Sequence, residues 1–126
     1  CCRWLSERYG LAIRLPTVDE WEIAARAGVR GLPYSSGWAD PAGRVVMAAE
    51  GPKAVNDGTP NRWGLWHMSG NVAEWCRAEA GADTAPVVGG SWAERDARWV
   101  RISHRMALPK TYRDGDVGFR VVIDMP

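Results

Sequence analysis

Few side chains in this sequence can do chemistry: three cysteines, two histidines and some carboxylates close to tryptophans. Cys1 and Cys2 are neighbours and Cys76 is distant, so these thiols do not form a disulfide framework. We expect reduced thiols, as in a cytoplasmic protein, with Cys2 and Cys76 packed as small apolar side chains. His67 and His104 lack the spaced carboxylate partner of a metal triad, so we expect hydrogen-bonded or surface histidines.

Segment 60–76, PNRWGLWHMSGNVAEWC, combines three tryptophans, two glycines and a single acid. An indole buries a large area but needs a partner for its N–H group, which suits ordered loops with inward-facing carbonyls. Turn formation is favoured at the two glycines, and Asn71 can hydrogen-bond the local backbone. We therefore predict that the three indoles lie in or just below the core: Trp63, Trp66 and Trp75.

The sequence predicts two helices in the first 28 residues. In CCRWLSERYG, apolar residues recur at helical spacing and Gly10 can supply a left-handed cap. In RLPTVDEWEIAARAG, Thr17 and Glu20 form a capping box, and Gly28 ends the helix. The apolar face of this second helix consists of Val18, Trp21 and Ala25.

The rest of the chain predicts loops and short strands. Residues 29–61 are rich in glycine, proline and polar side chains, with one short strand at 45–47. The segment ALPKTYRDGD, residues 107–116, is typical of turns. β-Branched or alternating patterns predict three further strands, at 86–92, 98–105 and 117–123. The fold class is therefore α+β, with a loop-rich, small antiparallel sheet.

Length and charge narrow the class of protein. A chain of 126 residues forms one domain. Its net charge of +1 gives no electrostatic basis for binding nucleic acid or an anionic membrane. No apolar run approaches the roughly 18 residues that span a bilayer, so we expect a soluble protein.

Four motifs in this order resemble the formylglycine-generating enzyme (sulfatase-modifying factor) family: RLPTVDEWEIAARAG, PNRWGLWHMSGNVAEWC, VGGSW and GFRVV. The resemblance implies a C-type-lectin-like fold, with residues 1–126 forming the C-terminal portion of the family's domain. In that fold the chain ends meet in one sheet, so we expect the last strand, 117–123, to lack its neighbour. A companion chain that supplies the N-terminal half, or self-association, would then cover the unpaired edge.

The resemblance also implies a copper ion held by two cysteines, three and eight residues after the serine of VGGSW. Counting from Ser91 places Glu94 and Trp99 at those positions. Soft thiolates suit Cu(I), whereas a carboxylate is a poor ligand for it and an indole is none. We expect no copper, and no formylglycine-generating activity.

A structural calcium site is a further implication of the resemblance. The matching positions are the carbonyls of Gly70 and Val72 and the acid Glu74, while His67 stands where the family has an oxygen ligand. Either calcium binds here weakly, or Glu74 makes hydrogen bonds to loop amides without a metal. The sequence leaves both open.

The segment after VGGSW forms the substrate groove in members of the family, and the binding face in variable proteins of diversity-generating retroelements. Trp, Tyr and Arg are enriched in binding hot spots. We predict a protein-binding or ligand-binding face that comprises Ser91, Trp92, Glu94, Arg95, Trp99, His104 and Tyr112. Two alternatives stay open: an enzyme that uses Glu94 as an acid–base residue beside Ser91, and a structural subunit of an assembly completed by a second chain.

Overall fold

The computed structural model describes residues 1–125, in which two helices and six short strands are joined by long ordered loops. The helices are α1 (Cys2–Tyr9) and α2 (Val18–Arg26), and a 3-10 helix covers Ala97–Val100. The strands are β1 (Ala12–Arg14), β2 (Ala73–Trp75), β3 (Thr84–Val88), β4 (Arg105–Pro109), β5 (Val117–Gly118) and β6 (Val122–Asp124).

Helix α2 forms where its capping box predicts it. Thr17 Oγ1 accepts a hydrogen bond from the backbone N–H of Glu20, and the Glu20 carboxylate accepts one from the backbone N–H of Thr17. The left-handed cap falls on Ala27, one residue before the predicted Gly28. Trp21 is only 1% exposed and packs this helix against the core.

Helix α1 is also confirmed, and Gly10 caps it in the left-handed conformation. No residue of this helix is buried. Trp4 and Tyr9 are 60% and 62% exposed, while Cys2 and Leu5 are half-buried. The apolar residues of α1 therefore form an open surface instead of joining the core.

The strands form two sheets. One has the order β4-β3-β2-β5, in which β2 and β5 run parallel and the other neighbours run antiparallel. The second is an antiparallel pair of β1 and β6. The prediction of a small antiparallel sheet is confirmed in its main part, whereas β1 and the parallel pair of β2 and β5 were not predicted.

Two strand predictions are wrong in their bounds. The predicted strand 86–92 begins earlier, as β3, and ends at Val88, because Gly89 and Gly90 turn the backbone to positive φ. The predicted strand 98–105 is mostly the 3-10 helix and a turn. Asp96 starts that helix because its carboxylate accepts the backbone N–H of Arg98. The next strand, β4, begins at Arg105 and extends to Pro109, into the first three residues of the segment 107–116 that was predicted to form turns.

The terminal apolar segment is not one unpaired strand. It divides into β5, which pairs with β2, and β6, which pairs with β1. The expectation that 117–123 lacks a neighbour is therefore wrong. The predicted strand at 45–47 is reduced to a single bridge between Val46 and Gly70.

The core gathers side chains from α2, the central strands and the loops between them. Cys76 is fully buried as predicted, whereas Cys2 is only half-buried. Trp63 is 55% exposed, so its predicted place in the core is wrong, and Trp66 and Trp75 are half-buried. Among residues 1–125, no helix is long and apolar enough to cross a membrane.

Candidate functional site

Two glycine turns form the floor of the candidate site. The backbone N–H of Gly70 donates to the carbonyl of Gly89 (2.8 Å), and that of Trp92 donates to the carbonyl of Asn71 (2.8 Å). A Cβ atom on Gly90 would lie 2.4 Å from the carbonyl oxygen of Trp99. Glycine is therefore required where the 3-10 helix crosses this floor.

Glu94 is held above the floor by its backbone. Its carbonyl accepts the N–H of Ala48 (2.7 Å), and its N–H donates to the carbonyl of Ser91 (3.2 Å). The carboxylate itself makes no hydrogen bond or ion pair within residues 1–125. Burial raises the pKa of Glu94; His104 opposes this shift and Asp116 adds to it. Glu94 therefore has a carboxylate that is partly desolvated but available to a ligand.

Trp99 and His104 form an aromatic pair beside Glu94. Their ring centroids are 4.8 Å apart at an interplanar angle of 60°, an edge-on arrangement. Trp99 remains 42% exposed. The Nε2 atom of His104 is buried without a hydrogen-bond partner in the described part of the chain. The Arg98 guanidinium lies 5.7 Å from the indole centroid and is paired with Asp96 at 2.6 Å.

Tyr112 reaches the same place from the turn after β4. Its hydroxyl donates to the Asp116 carboxylate (3.4 Å), and burial raises its pKa, with Asp116 and Asp114 adding to the shift. The indole N–H of Trp92 donates to the carbonyl of Gly115 (3.2 Å), next to that acid. Asp116 is not among the predicted site residues, because YRDGD is typical of a turn; the two acids that follow the tyrosine are the signal that could identify it.

Not all of the predicted ligand-binding residues belong to this cluster. Ser91 is only 1% exposed, and its Oγ accepts the backbone N–H of Ala93, so it is not accessible. Arg95 is exposed and makes no side-chain contact that ties it to the others. We call the remaining group the acid–indole cluster: Trp92, Glu94, Trp99, His104, Tyr112 and Asp116.

The residues predicted to bind calcium do not fit that ion. Glu74 is 5% exposed, and Arg120 donates to both of its carboxylate oxygens, at 2.6 and 2.7 Å. The Trp21 indole donates to the same carboxylate at 2.6 Å. Since a guanidinium and an indole occupy the only carboxylate of the set, the carbonyls of Gly70 and Val72 alone cannot hold a hard cation. Glu74 does make hydrogen bonds within the protein, as the second alternative predicted, but the donors are a guanidinium and an indole instead of loop amides.

The residues also do not fit Cu(I). Positions 94 and 99 offer a carboxylate and an indole, as the sequence shows. Cys76 is fully buried, and burial raises the pKa of its thiol to about 12, with Glu74 adding to the shift, so it remains protonated. In residues 1–125, no group of three His, Cys, Asp or Glu side chains has the arrangement of a metal site.

Known proteins share both the sequence pattern and the fold. The formylglycine-generating enzyme of Streptomyces coelicolor is 33% identical over 148 residues, covering 88% of this chain and 46% of the relative. The Mus musculus protein named inactive C-alpha-formylglycine-generating enzyme 2 is 32% identical over 140 residues, covering 94% of this chain and 44% of that protein. The solved structure of Treponema denticola variable protein 1 superposes with a TM-score of 0.77 at 28% identity, covering 88% of this chain and 47% of that one.

These matches agree with the α+β, loop-rich architecture of the formylglycine-generating enzyme type. The chain spans less than half the length of each of these relatives. Residues 1–125 match the family described as the sulfatase-modifying factor enzyme 1-like domain. The chain therefore belongs to the sulfatase-modifying factor, or formylglycine-generating enzyme, family.

Proposed function

We propose that this chain is a non-catalytic binding domain of the formylglycine-generating enzyme type and that it has no copper-dependent cysteine oxidase activity. The proposal is supported by the carboxylate and the indole at positions 94 and 99, to which the family resemblance assigns the copper thiolates. It is also supported by likeness to a relative named inactive and to a variable protein.

The single observation that carries the proposal is the acid–indole cluster. Trp99 offers an exposed ring, and Glu94 has a partly buried carboxylate with no protein donor in residues 1–125. A partly desolvated carboxylate of this kind is stabilised when a ligand supplies a positively charged hydrogen-bond donor. Because Arg98 is already paired with Asp96, its charge does not satisfy Glu94.

The chemistry of the cluster favours a cationic group on the ligand. Glu94 and Asp116 supply two acids, and Trp92, Trp99 and Tyr112 supply aromatic faces and edges. An amine or guanidinium can pair with the acids and lie against an indole, as cations do on aromatic rings. We therefore propose a peptide or small molecule that presents a lysine-like or arginine-like group.

Selection of peptides from a random displayed library tests this function. We expect the wild type to enrich lysine-containing or arginine-containing peptides whose binding is lost in Trp99→Ala and Glu94→Gln. Trp38→Ala is the matched control, because Trp38 is also an exposed tryptophan (67%) but lies outside the cluster. Selected peptides that bind Trp99→Ala as well as wild type would contradict the proposal.

An enzyme with different chemistry is the second candidate, because burial raises the pKa of Glu94 beside His104. A carboxylic acid of this kind is suited to proton transfer. Ser91 would not act with it as nucleophile, since its hydroxyl oxygen is buried against the N–H of Ala93. Incubation of a selected peptide followed by mass spectrometry separates the two functions. A mass change with wild type, absent with Glu94→Gln that still binds, would favour the enzyme; an unchanged peptide favours the binding domain.

A further inference from the structure

A small polar cavity lies in the long loop region, and none of the residues that line it belongs to the acid–indole cluster. Its volume is about 130 Å³, well above the about 15 Å³ that a single water needs. The loop between residues 35 and 59 forms most of its wall, and His67 and Ser69 form the remainder. The side chains that matter for its chemistry are Ser36, Arg44, Lys53, Asp57, Thr59 and His67.

The hydroxyl groups of this cavity have unused hydrogen-bond donors. The Oγ atom of Ser36 is buried and has no partner in the described part of the chain. Ser69 Oγ accepts the backbone N–H of Ser35 (3.1 Å), which leaves its own proton free to be donated. A buried hydroxyl without a partner is costly. A ligand that accepts hydrogen bonds would remove that cost.

The charge of the cavity is positive. The Arg44 guanidinium makes no hydrogen bond or ion pair within residues 1–125. The Lys53 ammonium is 3.8 Å from the Asp57 carboxylate, which is beyond hydrogen-bond distance. Two cations thus face one acid.

Hydrogen bonds hold the backbone at both cationic residues in place before any ligand binds. Asn71 clamps Lys53 by accepting its backbone N–H (2.8 Å) and donating to its carbonyl (3.3 Å). The N–H groups of Arg44 and Val45 both donate to the carbonyl of Pro41. His67 adopts a left-handed φ of 54°, and its Nε2 atom is 3.1 Å from the carbonyl of Ala54. A preformed site loses less entropy when it binds.

From these observations we infer that the cavity is a binding site for a tetrahedral oxyanion, the phosphate or sulfate group of a small ligand. Arg44 matches two oxyanion oxygens with its planar fork, and Lys53 acts as a second, compact charge. Ser36 and Ser69 donate to the remaining oxygens. Calcium is disfavoured here because two cations line the cavity.

Isothermal titration of the full chain with inorganic phosphate and with inorganic sulfate tests the inference. We expect saturable binding of one anion per chain, weakened about tenfold or more by Arg44→Gln or Lys53→Met. Arg62→Gln is the matched control, since Arg62 is exposed and does not line the cavity. Phenyl phosphate and phenyl sulfate, titrated separately, distinguish the two sources of the oxyanion.

Ser36→Ala should change the stability of the chain and its anion affinity in opposite directions. Removal of the unpartnered hydroxyl should raise the thermal midpoint of the unliganded chain while it weakens anion binding severalfold. The inference is overturned if neither anion binds, if Arg44→Gln and Lys53→Met bind as well as Arg62→Gln, or if calcium binds in the cavity instead. Trp99→Ala should leave anion affinity unchanged, so failure here is distinct from failure of the proposed binding function.

Discussion

Glu74 and Glu94 lie in two regions of this molecule and differ in what their carboxylates contact. Glu74 is buried and accepts three hydrogen bonds, two from Arg120 and one from the Trp21 indole. Glu94 is half-buried, and its carboxylate accepts none within residues 1–125. Removing the partner of a buried, fully paired charge is costly to the fold, whereas a partly buried, unpaired charge is available for function.

This difference explains why the same residue type has two roles in one domain. Arg120 also donates to the carbonyl of Trp66 (3.0 Å), so the Glu74 pair connects β2 to the loop around Trp66 and to the segment between β5 and β6. Glu94 is tied down only through its backbone, by Ser91 and Ala48. Changes at the first site should therefore affect stability, and changes at the second should affect binding.

The largest effect is expected for Arg120→Met, which leaves the Glu74 carboxylate buried without its cation. We predict a loss of about 3 kcal/mol in the free energy of unfolding, measured by urea denaturation. Arg105→Met is the control, because its ion pair with Glu22 is exposed on the arginine side, and it should cost at most about 1 kcal/mol. Equal losses of unfolding free energy in the two variants would show that the buried Glu74–Arg120 pair matters no more to stability than an exposed ion pair.

Gly90→Ala should have the next largest effect, and it tests the floor of the acid–indole cluster. The added Cβ would meet the Trp99 carbonyl at 2.4 Å, in a backbone with φ of 64°. Gly64→Ala is the matched control, with φ of 78° and, within residues 1–125, no heavy atom beyond its chain neighbours within 4 Å of the added Cβ. We predict about 1 kcal/mol of destabilisation for the control and about 1 kcal/mol more for Gly90→Ala, from the clash. The same denaturation measurement checks both, and similar losses would contradict the close approach.

The smallest effect should appear in the pH dependence of stability, where Glu20 and Glu94 have opposite signs. The ion pair with Arg14, with the Thr17 N–H, lowers the pKa of Glu20 to about 2 from an ordinary 4.5. Its stabilisation is therefore present above about pH 4.5 and is lost as the pH falls toward 2. The pKa of Glu94 is raised by burial, so the folded state holds its proton more tightly and loses stability as the pH rises above 4.5.

Thermal midpoints from about pH 2 to about pH 8 for the two glutamine variants check these signs. Relative to wild type, Glu20→Gln should become less stable as the pH rises, and Glu94→Gln should become more stable. The two curves should meet the wild type near the acidic end. Two curves that deviate in the same direction would show that Glu94 is not desolvated in the folded chain.

Local signals in the sequence predicted the features that depend on near neighbours. The capping box of Thr17 and Glu20 was sufficient to place α2, and Gly10 to end α1. The strand at 98–105 was predicted wrongly, because its alternation competes with the Asp96 cap of a 3-10 helix. Pairings across long separations, such as β1 with β6, have no local signature.

The candidate site was partly predictable for the same reason. Glu94, Trp99, His104 and Tyr112 follow one another closely enough to be recognised as a group. In the structure Trp99 packs on His104, Tyr112 bonds Asp116, and Glu94 interacts with the charges of His104 and Asp116. The burial of Ser91 and the pairing of Glu74 with Arg120 depend on contacts that sequence spacing does not reveal. The companion chain or self-association stays a prediction.

Cu(I) binding is the most direct test of whether this domain has lost the thiolate copper site. It should be measured without oxygen, against a chromogenic chelator, in a Cys1→Ser, Cys2→Ser background that removes the terminal thiols. We predict no tight Cu(I) binding by this protein, and one equivalent bound once Glu94→Cys and Trp99→Cys are added. One equivalent bound tightly before those two substitutions, with copper-dependent oxidation of a cysteine peptide, would contradict a non-catalytic binding domain.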